Sequence, residues 1–90
     1  MVKEKIRCFN ELKEQQIDNR ELILHNDDVN TFDYVIDVLI DICDHTLEQA
    51  EQCALITHLK GKCEVKKGDY SALKPICEEM LHKQLSVTIE

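Results

Sequence analysis

The sequence contains no tryptophan and only two phenylalanines and two tyrosines in 90 residues, so aromatic stacking cannot organise its interior. Aliphatic side chains must fill the core instead, and 43% apolar residues are enough for one modest core but not two. Positive charge is also scarce: eleven Lys and Arg stand against eighteen Asp and Glu, a formal charge of −7. That sign is wrong for tracking a phosphate backbone or an anionic membrane, so no nucleic-acid or membrane partner is expected. No run of eighteen apolar residues occurs, and the opening MVKEKIRCF lacks the apolar stretch of a secretory signal, so the chain is expected in the cytoplasm.

C-x-x-C pairs are missing as well. The cysteines Cys8, Cys43, Cys53, Cys63 and Cys77 are odd in number and lack a secretion signal, which argues against a disulfide framework. Their spacing matches no zinc pattern, so no metal or other cofactor is expected, and four of the five fall on apolar stripes as small core hydrophobes.

Residues 1–20 are mostly charged or polar, with no face wide enough to dock, and read as a flexible N-terminal extension. Residues 21–90 read as the core domain. Glu21-Leu22-Ile23-Leu24-His25 has strand composition and is closed by the turn formers Asn26, Asp27 and Asp28. From Phe32 to Cys43 the apolar positions take helical spacing, with Asn30 or Thr31 as cap. Thr46 and Gln49 make a capping box for a second helix through Leu47, Ala50, Cys53, Ala54 and Thr57, which Gly61 ends. Lys62 to Lys66 alternates as a short strand before the Lys67-Gly68-Asp69 turn. Leu73, Ile76, Cys77, Met80 and Leu81 mark a third helix starting near Ser71, with Pro75 at the edge of its first turn, and Leu85, Val87 and Ile89 alternate as a last strand. The expected fold is a two-layer α/β sandwich of order β-α-α-β-α-β, a three-stranded antiparallel sheet covered by three helices.

In extended chain alternate side chains share a side, so Asn26 and Asp28 point one way while His25 and Asp27 point the other. Ala54, Thr57 and His58 form one patch near the end of the second helix, and Phe32 and Val35 lie in the opening turn of the first. If the two helices form an antiparallel hairpin, His58 approaches the Asn26–Asp28 turn, and a small apolar pit rimmed by acceptors results. His25, His45 and His82 have no comparable setting and read as surface or turn residues.

The run Leu22-Ile23-Leu24-His25-Asn26-Asp27-Asp28, the stretch FDYVIDVL from Phe32 to Leu39, and AEQCALITHLKGK from Ala50 to Lys62 resemble ClpS, the adaptor family of the bacterial Clp protease. The likeness covers about residues 21–90. It implies a monomeric, non-enzymatic adaptor that binds substrate proteins through a destabilising N-terminal Leu, Phe, Tyr or Trp. It further implies delivery to the N-terminal domain of a ClpA- or ClpC-type AAA+ unfoldase. By resemblance, Asn26, Asp28 and His58 hold the α-amino group, and Asn30, Phe32, Val35, Ala54 and Thr57 form the hydrophobic pocket. This chain departs from the common pattern where Phe32 and Ala54 replace methionines and Val29-Asn30-Thr31 replaces Tyr-Thr-Pro.

The residue types suit that task. A free N-terminus, with a pKa of roughly 7.7–8.0, is mostly an ammonium with three donors, and it needs acceptors only. The Asn26 carbonyl, the Asp28 carboxylate and one nitrogen of neutral His58 supply them. Two other readings compete. A thiol hydrolase built on Cys53, His58 and Asp28 requires groups that lie about 140° apart around one helix. A general protein-interaction module of the same fold requires indifference to the ligand's N-terminus.

Overall fold

The computed structural model describes residues 18–90. Six elements follow in the expected order: β1 (Arg20–His25), α1 (Phe32–Cys43), α2 (Leu47–Lys60), β2 (Lys62–Gly68), α3 (Tyr70–His82) and β3 (Ser86–Ile89). The strands form one antiparallel sheet in the order β2-β1-β3, which puts the Asn26 end of the central strand between two neighbours.

Each helix starts where a side chain replaces the missing backbone acceptor of the first turn. Thr31 accepts from the Tyr34 amide at 3.1 Å and opens α1. At α2 the capping box is complete: Thr46 Oγ1 accepts from the Gln49 amide at 3.1 Å, and Gln49 Oε1 accepts from the Thr46 amide at 2.9 Å. Asp69 accepts from the Ala72 amide at 2.8 Å and starts α3 at Tyr70, ahead of the expected Ser71. Pro75 therefore stands in the second turn, past the edge predicted for it, and has no N–H to offer the Ser71 carbonyl. The left-handed φ of 95° at Gly61 ends α2 and turns the chain at once into β2.

Leu22, Leu24, Leu39, Leu73 and Met80 are the largest fully buried side chains, drawn from β1, α1 and α3, and Ala50 and Ala54 let α2 lie close against them. Two positions of the predicted apolar stripes fall outside this core. Leu47, in the first turn of α2, is 57% exposed, and Leu81, in the last turn of α3, is 48% exposed. Strand β2 is longer than expected, because Lys67 and Gly68 pair with Glu21 and Arg20 and a bulge opposite Leu22 and Ile23 accommodates the extra residue.

Most of the predicted extension 1–20 lies outside the described residues. Of its end, Arg20 already belongs to β1, and Asp18 accepts from Arg20 Nε at 2.8 Å and from the Tyr70 amide at 3.0 Å. His45 lies in the α1–α2 turn, within its reading as a surface or turn residue, and is half-buried there. Its Nε2 donates to the Val65 carbonyl at 2.8 Å and ties the α1–α2 turn to β2, while its buried Nδ1 has no partner among the described residues.

Candidate functional site

The loop between β1 and α1 is built around one carboxylate. Asp27 Oδ1 accepts from the amides of Val29 and Asn30, both at 2.9 Å, and Oδ2 accepts from Asn30 Nδ2 at 3.0 Å. The same Asn30 nitrogen donates to the Gln84 carbonyl at 2.9 Å, and the Tyr34 hydroxyl donates to the Lys83 carbonyl at 2.8 Å, so the loop is fixed to the turn after α3. Burial pushes the Asp27 carboxyl up, but the donors from Asn30 and Val29 outweigh it and hold the group below the usual carboxylate range.

On the other side the Asn26 amide donates to the Gly61 carbonyl at 2.9 Å. This bond sets the end of α2 beside the end of β1 and brings His58 to the loop. With α1 packed on α2, a half-open cavity of about 510 Å³ remains between loop and helices.

All eight residues singled out from the sequence line this one cavity. Asn26, Asp28 and His58 form its exposed polar part; among the described residues, none of their side chains is bonded to another protein group. Val35, Ala54 and Thr57 form the inner wall, Ala54 and Thr57 being only 4% and 5% exposed, while Phe32 stands at the rim at 45%. Asn30 joins wall to loop. Asp27 lines the cavity too, although alternation put it on the side away from Asn26 and Asp28, and its carboxylate is spent on the loop.

Two wall residues escaped the sequence reading. Leu24, fully buried, closes the base; it was legible only as core, and the strand's period of two, which puts it on the side of Asn26, is the signal that it also borders the site. His25 contributes to the wall rather than being a plain surface residue, although its Nε2 lies 2.8 Å from Thr88 Oγ1 and 3.9 Å from the Glu90 carboxylate on β3. Nothing in its residue type signals this.

The Cys53 thiol is not in the cavity wall. It lies against β2, 4.0 Å from the Glu64 carbonyl that also receives Cys63 Sγ at 3.4 Å. Burial, with the neighbouring Cys63 thiol, pushes Cys53 up to about 12, and burial pushes Cys43 up to about 11. Iodoacetamide near neutral pH is therefore expected to leave both unmodified in the folded protein and to label both once it is denatured, as read by site-resolved mass spectrometry. Among the described residues no group of three or more His, Cys, Asp or Glu side chains is placed to hold a metal ion.

Sheet and helix order together define a small α/β fold that is also seen in a solved structure. The structure of Agrobacterium tumefaciens ClpS2 bound to L-phenylalaninamide superposes with a TM-score of 0.75 at 20% identity, over 81% of this chain and 95% of that one. The family model for the ATP-dependent Clp protease adaptor protein ClpS matches residues 15–88, and the chain belongs to this family. Its curated relatives include the ATP-dependent Clp protease adapter protein ClpS of Oleidesulfovibrio alaskensis, 45% identical over 51 residues, which are 57% of this chain and 47% of that protein. The protein of the same name from Campylobacter jejuni is 46% identical over 41 residues, 46% of this chain and 43% of the relative. The matched stretches thus span less than half the length of these relatives.

Proposed function

We propose that this protein is a non-catalytic adaptor that captures substrates by a free N-terminus carrying a bulky apolar first residue. The observation that carries the reading is the joining of three polar side chains, Asn26, Asp28 and His58, unbonded among the described residues, to an apolar-walled cavity. The trio presents acceptors to the three hydrogens of the α-ammonium. The wall of Phe32, Val35, Ala54, Thr57 and Asn30 receives the first side chain, of the Leu, Phe, Tyr or Trp class.

Magnitudes explain why both halves are needed. A hydrogen bond to a charged group contributes roughly 1.5–3 kcal/mol net, about as much as burying one Leu or Phe side chain. Neither overcomes the loss of translational and rotational freedom alone. L-phenylalaninamide, the molecule in the solved relative, carries this pair of groups, a free amine and an apolar side chain.

The captured substrate passes to a Clp-family AAA+ unfoldase of the ClpA or ClpC type, through that enzyme's N-terminal domain. The binding core lies within the described residues 18–90, and the protein works as a cytoplasmic monomer. No described helix is long and apolar enough to cross a membrane.

Fluorescence anisotropy with labelled peptides tests the reading. A Phe- or Leu-initiated peptide is expected to bind; its N-acetylated form should bind at least about thirtyfold more weakly, since each lost charge-assisted bond is worth roughly a factor of ten or more, and its Asp-initiated form should bind more weakly because it forfeits the apolar burial of the first side chain. Equal affinity for free and acetylated peptides would instead mark a general interaction module.

A further inference from the structure

The hydrogens in the cavity wall are already spoken for. Asn30 Nδ2 lies 3.0 Å from Asp27 Oδ2 and 2.9 Å from the Gln84 carbonyl oxygen. Both partners can only accept, so the amide is fixed with its nitrogen toward them and both of its hydrogens are used. The polar atom left to Asn30 is Oδ1, an acceptor. Thr57 is in the same position. Its hydroxyl donates to the Cys53 carbonyl one turn back at 2.7 Å, which uses its single hydrogen and leaves only lone pairs.

Of the rest of the wall, Leu24, Phe32, Val35 and Ala54 are apolar, and the Nε2 of His25 is engaged with Thr88 Oγ1 at 2.8 Å. The part of the cavity that receives a side chain is therefore an apolar sleeve whose polar atoms accept hydrogen bonds and donate none. A Leu or Phe side chain entering it displaces water from those acceptors and returns nothing. A ring that carries its own N–H or O–H restores the bond. The small side chain of Ala54, buried against the core, leaves width for such a ring.

Resting on the N-terminal-residue reading, we propose that the pocket selects first residues that combine an aromatic body with a hydrogen-bond donor, Tyr and Trp, over Phe and Leu. Asn30 and Thr57 are the specificity-determining residues. One neutral hydrogen bond gained in place of a lost one sets the size, an advantage of about threefold to tenfold for Tyr over Phe.

Peptides identical but for residue one, bearing Tyr, O-methyltyrosine, Phe, Trp or Leu with a free amine, test this by anisotropy on the wild-type protein. O-Methyltyrosine keeps the ring and the oxygen but lacks the hydrogen. Tyr is expected to bind about threefold to tenfold tighter than Phe, with O-methyltyrosine no better than Phe. In Thr57→Val, which keeps the side-chain shape without the acceptor, the Tyr-to-Phe ratio is expected to fall toward one. Equal binding of Tyr, O-methyltyrosine and Phe overturns the donor selection while leaving N-terminal recognition standing. A ratio unmoved by Thr57→Val overturns the role given to Thr57. If no free-amine peptide binds, the underlying reading fails instead.

Discussion

Replacing Asp27 with alanine is expected to weaken the binding of a Phe-initiated peptide by at least about tenfold, although this carboxylate is not one of the groups assigned to the ammonium. Three donors converge on it, the amides of Val29 and Asn30 and the Asn30 side chain, and all three lose their acceptor together. Water can satisfy them, since the loop is partly exposed, so the fold survives with a stability loss of about 0.5–2 kcal/mol, the range for removing a capping side chain. What water cannot do is hold Asn26 and Asp28 in one arrangement. The loop must then be ordered at each binding event, and that entropy is taken from the affinity. Titration calorimetry paired with urea unfolding separates the two losses. An affinity within twofold of wild type would show that the loop is held by other means.

The same carboxylate sets an acid limit. Its pKa is lowered in the folded protein, so its contribution to stability is fully present above the ordinary value of 3.8 and is lost as pH falls through the lower, folded value. Loss of the loop in wild-type protein should thus begin only below about pH 4.

Leu39→Ala is expected to produce the largest loss of stability, about 2–5 kcal/mol by urea denaturation. Leu39 is completely buried where α1 meets the sheet and the other helices, and truncation leaves a cavity whose rigid neighbours cannot fill it. Small domains have only about 5–15 kcal/mol in all, so the variant is expected to be partly unfolded at growth temperature. Since Leu39 does not line the cavity, the folded fraction should keep whatever peptide affinity the wild-type protein shows. Leu47→Ala is the control. That residue is 57% exposed, and its removal should change stability by no more than about 0.5 kcal/mol. A Leu39→Ala loss as small as that of Leu47→Ala would mean that the core lies elsewhere.

These contrasts show where the sequence was legible. Local signals were read correctly because their physics is local: the Thr46–Gln49 capping box involves residues three apart, and the alternation of Leu85, Val87 and Ile89 is a property of one strand. The trio of Asn26, Asp28 and His58 was reached by alternation, helical spacing and a family likeness, and the structure brings the three to one cavity. What failed depended on neighbours. Periodicity put Leu47 and Leu81 on apolar stripes, but both stand exposed in end turns of their helices, and no pattern within the helix records that. That His45 ties its turn to β2 left no local sign, because its acceptor, the Val65 carbonyl, lies twenty residues away on another element. The bonds from Asn30 and Tyr34 to the turn after α3 span 54 and 49 residues and leave no trace in local composition.

Those two long-range bonds bear on how the site comes into being as the chain is made. Asn30 and Tyr34 emerge early in synthesis, but the carbonyls of Gln84 and Lys83 appear only after α3 is complete. Contacts so distant in sequence close late, because the loop entropy between them must be overcome first. A nascent chain that has reached His82 thus holds every residue lining the cavity and lacks the two carbonyls that pin its loop. On the proposed function, recognition would in this way be deferred until nearly the whole domain has been synthesised.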